Sequence, residues 1–339
     1  MGKIWAISGC TNAGKTTLAR NLAIFLGEEK TKIINQDDYY YTADKVEKLY
    51  IEVDGKDVTQ RGFYWSYDEK ESVDVEAFRL ATEEASKSFK NVIIEGNMIT
   101  EMADILKICS KVIVMTLDMK TCKTRRDTRT YDPPDDIGYF DYVAWPAYQR
   151  HVKRAIQMGR TDDRFTYIDV SNPIGDNIDS SNHHFLSQIL NDHVKISENP
   201  LSIDNCQNLS TSPSCGAISL FVGTTRDNFD GKQVIKLSYD CYDEMAYKEM
   251  RKICRTIREQ HPGVEKVVIH HRIGDVPVCE SSVIIATSSA HRAESIKATE
   301  LAINLLKKHV PIWKKEVYSN DEYEWKSNQL DADKAASQQ

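Results

Sequence analysis

Two different rhythms of apolar and polar positions run along this chain. In the first, brief apolar runs rich in β-branched residues alternate with helical stretches. Residues 3–8 (KIWAIS) lead through a Gly-containing loop into a helical pattern at 16–27. Further runs stand at 32–36, 91–95, 111–117 and 165–170, each with a helical stretch before the next. Strands spaced by helices predict a parallel sheet covered on both faces. Residues 42–72 are polar and aromatic with no clean period, and read as a long functional loop.

After Val170 a stretch rich in turn formers leads to one last predicted helix at 185–193. From about Val194 the second rhythm begins. Strands are predicted at 215–223 and 233–240, a long helix at 243–260, strands at 266–274 and 281–289, and a helix at 291–309. Runs at 311–318 and 322–326 are appended. This β-β-α-β-β-α order predicts an α+β sandwich with helices on one sheet face. Gly274 and Pro277 read as architectural turn residues, and the end after Trp325 as frayed. The expected layout is a first domain over 1–192, a second over 193–328 and a flexible tail over 329–339.

Composition narrows the classes. The 339 residues suit two domains, and 41% hydrophobic with 28% charged residues argues against disorder. The 44 Lys+Arg against 51 Asp+Glu leave a net charge of -7, so a whole-chain basic footprint for nucleic acid is absent. Anionic ligands remain open, because phosphate sites are made locally. No apolar run approaches the roughly 18–20 residues of a membrane span. The opening run turns polar too early for a signal peptide, and Ala6 stands where myristoylation wants Ser or Thr. The 8 Cys form no C-x-x-C pair, which supports neither a zinc site nor a disulfide scaffold. A reducing, cytoplasmic setting with no membrane contact is expected.

Gly9-Cys10-Thr11-Asn12-Ala13-Gly14-Lys15-Thr16 satisfies G-x-x-x-x-G-K-[ST] between a predicted strand and a predicted helix. In such a loop backbone N–H groups face a β-phosphate, Lys15 reaches the β/γ oxygens and the Thr16 hydroxyl can ligate Mg²⁺. Asn35-Gln36-Asp37-Asp38-Tyr39-Tyr40 closes the next strand, at the sheet edge where α/β proteins bind ligands. A carboxylate there can accept a hydroxyl proton, hold Mg²⁺ through water, or simply cap a helix. Glu95 ends another strand and could serve the metal. Arg125, Arg126 and Arg129 share a helix that leads into a Pro/Gly-hinged loop ending at Asp141. They either close over a triphosphate or form a solvated arginine face.

Over roughly residues 1–190 these features resemble nicotinamide riboside kinases, relatives of uridine and pantothenate kinases. The resemblance is carried by SGCTNAGKTTLA, INQDDYY, SYD at 66–68, IIEG and RRDTRTYDPPDDIGYFDYVAWP. It implies an α/β P-loop kinase domain using ATP and Mg²⁺. Gly9, Cys10, Thr11, Asn12, Ala13, Gly14, Lys15, Thr16, Thr17 and Arg125 would hold ATP, with Lys15 catalytic. Asp37 would be the general base on a ribose 5′-hydroxyl and, with Thr16, a Mg²⁺ contact. Asp38, Tyr39, Tyr40, Tyr67, Asp68, Arg126, Tyr131 and Asp132 would join Asp37 around the nucleoside. The 42–66 loop is longer than in those kinases, and Asp132 stands where a relative carries a neutral amide. A uridine-type kinase, or an ATP-binding scaffold without catalysis, is the alternative.

In the second domain cationic groups gather at predicted element ends: His291-Arg292, Lys307 and Lys314-Lys315-Glu316. Their bland role is to complement helix dipoles. Lysines grouped with other cations in a partly apolar pocket can instead act as nucleophiles or move protons. CGAISLFVGTTRD, LSYDCYDEMA, HHRIGDVPV, SSAHRAESIKA and VPIWKKEVY resemble the large, catalytic subunit of molybdopterin synthase, MoaE in bacteria. The resemblance implies addition of two sulfurs to cyclic pyranopterin monophosphate. Sulfur would come from the thiocarboxylated C-terminal Gly of a ubiquitin-like small subunit. Lys307 and Lys314 would be catalytic, and Arg226, His291, Arg292, Lys315 and Glu316 would surround the substrate. A dimer through this domain, and a heterotetramer with the small subunit, are implied. A pure docking surface is the alternative.

Overall fold

The computed structural model describes residues 1–53, 56–57, 59, 62–129, 135–171, 186, 189–229, 231–318 and 323–326. The chain divides into two compact units, one of residues 1–158 with 164–186 and one of residues 159–163 with 187–339.

The first unit holds a five-stranded sheet in the order β2-β3-β1-β4-β5. The strands are β1 (Lys3–Gly9), β2 (Thr31–Asn35), β3 (Asn91–Gly96), β4 (Lys111–Thr116) and β5 (Phe165–Asp169). Every pairing is parallel. β3 is buried at all six positions, with the apolar Val92-Ile93-Ile94 of a strand covered on both faces between the polar Asn91 and Glu95. Crossovers run through α1 (Lys15–Leu26), α2 (Val75–Ser88), α3 (Ala103–Ile108), α4 (Met119–Asp127) and α5 (Trp145–Gly159). Leu18 and Leu22 of α1 are buried with Ile7, Ile93 and Ile113 of the sheet. The stretch read as a loop at 42–72 carries more order than expected. Lys48–Leu49 pairs with Tyr64–Trp65, Glu52–Val53 pairs with Lys56–Asp57, and short 3₁₀ turns stand at Ala43–Lys45 and Lys70–Ser72.

The second unit has two sheets. The first is ordered β6-β9-β11-β7, from β6 (Asp192–Ser197), β7 (Ala217–Thr224), β9 (Val264–Arg272) and β11 (Ser281–Ser289). The second centres on β8 (Lys232–Cys241), flanked by β10 (Gly274–Pro277) and β12 (Ile312–Tyr318), with β13 (Tyr323–Lys326) on β12. The long helix over 243–260 forms as read, α7 (Asp243–Gln260).

Two corrections concern this unit. Residues 189–191 are helical as expected, but the chain passes into β6 at Asp192, which pairs in parallel with β9. A short helix, α6 (Ile203–Ser210), also covers the first sheet. Its Cys206 packs on Val268, Ile284 and Ala286. The neighbouring position Thr287 instead bonds Ser295 and Thr299 of α8 (Arg292–His309). Successive strand positions face opposite ways, so this sheet is covered on both faces rather than one. Among the described residues no helix is long and apolar enough to cross a membrane.

Candidate functional site

The phosphate loop sits where β1 ends. Gly14 adopts φ +87° at the N-cap of α1, a conformation that suits glycine, and Asn12 has φ 57°. Gly9 has no room for a side chain, since a Cβ there would stand 2.7 Å from the Met115 carbonyl oxygen. Lys15 Nζ donates to the Cys10 carbonyl at 2.9 Å and to Asn97 Oδ1 at 2.5 Å. Thr16 Oγ1 donates to Glu95 Oε1 at 2.7 Å, and Glu95 is 2% exposed. Parallel register sets Ile7 beside Glu95 and Asn35 beside Glu95 from the other side. The Asp37 N–H donates to Asn35 Oδ1 at 3.0 Å, so Asn35 is the cap and the Asp37 carboxylate is left exposed at this edge.

Around this edge the expected nucleoside contacts are only partly gathered. Tyr40 meets Tyr67 edge-on at 5.7 Å, while Tyr39 packs on Phe78 at 5.1 Å. Asp38 is exposed. Asp68 accepts a 2.8 Å hydrogen bond from Tyr139, and burial raises its carboxyl above the ordinary range. The two arginines part company. Arg126 forks onto Asp135 at 2.6 and 2.8 Å and reaches Thr11 Oγ1 of the phosphate loop at 2.9 Å. Arg125 turns to the carbonyls of Val170 and Ser171 at 2.8 and 3.0 Å. Arg129 reaches Asn12 Oδ1 at 3.4 Å. Tyr131 and Asp132 lie outside the described residues. Asn97, Asp135 and Tyr139 have no role assigned by the sequence; the last two stand inside the Pro/Gly-hinged loop that ends at Asp141, while Asn97 carries no signal beyond following Glu95-Gly96.

Mg²⁺ takes hard oxygen ligands and keeps several waters, so one hydroxyl and one carboxylate suffice for a site. Thr16 and Glu95 fit that demand. Among the described residues no cluster of three His, Cys, Asp or Glu side chains stands ready for a metal.

In the second unit α8 separates the cationic groups. Arg292 and Lys307 lie at opposite ends of its 18 residues, about 22 Å apart along the axis at 1.5 Å per residue. His291, Arg292 and Lys307 are all exposed. Arg226 follows the end of β7 that pairs with Ser281, whereas His291 follows Ser289 at the opposite end of β11. Arg226 thus lies toward the Lys307 end, its guanidinium 5.3 Å over the Phe229 ring. On β12 the pleat sends Lys314 and Lys315 to opposite faces. Lys315 Nζ lies over the rings of Tyr323 and Trp325 at 4.4 and 5.8 Å. Glu316, on the Lys314 face, is buried and accepts from Tyr318 Oη at 2.8 Å. Within one chain the expected substrate residues therefore form two groups.

The family described as MoaE protein matches residues 196–309. The chain is 55% identical over 137 residues to the molybdopterin synthase catalytic subunit of Taeniopygia guttata, covering 40% of this chain and 88% of that protein. The Drosophila erecta counterpart is 53% identical over 138 residues, of which only 38% of the fly protein is spanned. Among solved structures, molybdopterin synthase from Staphylococcus aureus is 34% identical, with 39% of this chain and 94% of that chain covered at a TM-score of 0.37. A possible uridine kinase from Bacillus stearothermophilus is 16% identical, covering 50% of this chain and 90% of that chain at a TM-score of 0.31. Likenesses at these TM-scores carry no weight beyond the residues themselves. What joins the α+β unit and its lysine-rich helix end to known proteins is the sequence identity. Through that unit the chain belongs to the family of molybdopterin synthase catalytic subunits.

Proposed function

We propose that the second unit adds sulfur to cyclic pyranopterin monophosphate, taking it from the thiocarboxylated C-terminal Gly of a ubiquitin-like small subunit. Family membership carries this reading. Lys307 and Lys314 would attack or move protons at the reacting centre, and Arg226 would meet the substrate's phosphate from the same end of the unit. His291 and Arg292, about 22 Å away along α8, would serve the site of a second copy. On this reading the assembly is a dimer with two composite sites, each binding one small subunit, and the separation supports it. Complementation tests it. A His291→Ala/Arg292→Ala chain mixed and reassembled with a Lys307→Ala/Lys314→Ala chain should regain about a quarter of wild-type synthesis, because half the dimers are mixed and each has one intact site. No recovery on mixing would place every residue in one copy's site.

For the first unit we propose Mg-ATP-dependent phosphorylation of a nucleoside, nicotinamide riboside first. The observation that favours it is Lys15, Thr16 and Glu95 gathered at one sheet edge with Asp37 exposed beside them. Loop N–H groups and Lys15 would hold the phosphates, and Asp37 would take the hydroxyl proton. Thr16 and Glu95 would hold Mg²⁺, whose charge offsets that of the transferring phosphoryl group. Nucleoside-dependent ADP release across a panel tests this. Asp37→Asn and Lys15→Ala should each lose at least 100-fold in kcat/KM, on the order expected for a general base or a charge clamp. Turnover of uridine alone would reassign the substrate. ADP release by none of the panel would leave the unit a nucleotide-binding module.

A further inference from the structure

Two thiols meet beneath the phosphate loop. Cys10, the second residue of the loop motif, lies with its Sγ 3.4 Å from Sγ of Cys122 on α4. Cys122 also donates to the Thr11 carbonyl at 3.2 Å. Both side chains are buried, yet the surroundings are not apolar, for Lys15, Arg125 and Arg126 act on the pair. The hydrogen bond from Cys10 draws the Cys122 thiol below its ordinary range, with the arginines and Lys15 adding to it. Burial pushes Cys10 well above that range. One sulfur is thereby readied as a nucleophile and the other as its protonated partner. Elsewhere burial raises the thiols of Cys109, Cys206, Cys241 and Cys254, which makes them poor nucleophiles.

We propose that Cys10 and Cys122 are a redox-active dithiol that closes to an intramolecular disulfide, and that the disulfide form binds Mg-ATP more weakly. The second half rests on reading the loop as an ATP site; the first does not. The oxidant is a small two-electron acceptor, hydrogen peroxide. The Cys122 thiolate attacks one peroxide oxygen, the O–O bond breaks, and a sulfenic acid and one water form once the leaving hydroxide takes a proton. Cys10 sulfur then attacks the sulfenic sulfur, the S–O bond breaks, and a second water leaves with the Cys10 proton. Two thiols and one peroxide give one disulfide and two waters. Bond formation needs the sulfurs to approach by about 1.4 Å, to the 2.05 Å of a disulfide.

The consequence for the loop is mechanical. Lys15 donates to the Cys10 carbonyl, and Arg126 of α4 donates to Thr11 Oγ1. A bond from Cys10 to α4 fixes this part of the loop to the arginine helix, while wrapping a phosphate requires the loop N–H groups and Lys15 to reorient.

The test uses the full chain. It is treated with hydrogen peroxide until the exposed Cys279 is fully oxidised, then trapped by alkylation and mapped by mass spectrometry. Mg-ATP binding is measured by calorimetry with no nucleoside present. A linked Cys10–Cys122 peptide is expected, with the Kd for Mg-ATP raised at least tenfold and restored by dithiothreitol. Cys122→Ser should bind Mg-ATP as the reduced chain does and be insensitive to peroxide. Absence of the linked peptide, or equal Kd values for both forms, overturns the proposal. Failure of the reduced chain to bind Mg-ATP at all overturns the ATP reading, and with it the second half, while the linked peptide still decides the dithiol.

Discussion

His270 and His271 stand side by side on β9 and point into opposite layers of the second unit. His270 Nδ1 lies 3.3 Å from Cys206 Sγ, while His271 meets the Tyr239 ring edge-on at 5.1 Å and donates from Nδ1 to the Arg272 carbonyl at 2.7 Å. Burial lowers both imidazoles to about 4. The unfolded chain binds protons near 6.5, before the folded one does. Stability is therefore full above about pH 6.5 and falls as pH drops toward 4, by at most about 3 kcal/mol per histidine. His271→Phe keeps a ring against Tyr239 and removes one titrating group. Urea midpoints followed by hydrogen exchange over residues 264–272 should fall with acid about half as steeply in this variant. Equal slopes would show that His271 does not carry its share of the effect. Patterning announced these two as strand residues; their partners came from β8 and α6, elements brought in from elsewhere in the chain, so local sequence held no sign of them.

The Pro/Gly-hinged loop that ends at Asp141, here the lid, is held by the Arg126–Asp135 and Lys123–Asp141 pairs and by two tyrosine hydroxyls. Tyr64 Oη donates to the Ile137 carbonyl at 2.7 Å, next to Gly138 at φ +81°. Tyr139 donates to Asp68 at 2.8 Å, joining the lid to a residue proposed to hold the nucleoside. Tyr139 is thus a positioning residue, and its loss should act on binding. Tyr139→Phe should raise the nucleoside KM about tenfold to a hundredfold with kcat little changed, the ~1.5–3 kcal/mol cost of one hydrogen bond to a charged group. It should also move the acid limb of kcat/KM to higher pH, because that hydrogen bond lowers the Asp68 pKa against burial. An unmoved acid limb would mean the hydroxyl is only structural. Long elements were the legible ones. β1, β3 and β4 carry continuous apolar runs, and α7 keeps its period over 18 residues. Short elements hid: α6 holds eight mostly polar residues, and its one signal was Ser202, whose hydroxyl accepts from the Asn205 N–H at 3.1 Å. β6 hid because its alternating apolar positions follow directly on a helical stretch.

At the scale of the whole molecule the site was legible as a set of residues but not as a place. Motif order pointed to the lysines and to His291-Arg292 together, and only the length of α8 shows that one chain keeps them apart. The same holds for the boundary between the units. A second-unit fragment beginning at 193 loses Asp192, whose carboxylate pairs with the buried Arg258 at 2.5 Å. Leaving that guanidinium with carbonyl partners but no carboxylate should cost about 3 kcal/mol relative to a fragment beginning at 187. Comparing the two by urea denaturation checks this, and equal stabilities would count against the ion pair. Above all, the second unit is proposed to perform sulfur transfer with Lys307 and Lys314. Single-turnover synthesis of molybdopterin measures it directly, with the full chain, saturating thiocarboxylated small subunit and cyclic pyranopterin monophosphate. The wild-type chain should form product, and the Lys307→Ala/Lys314→Ala chain should bind the small subunit yet form almost none. Near-normal product from the double variant would contradict the assignment and leave the unit a docking surface.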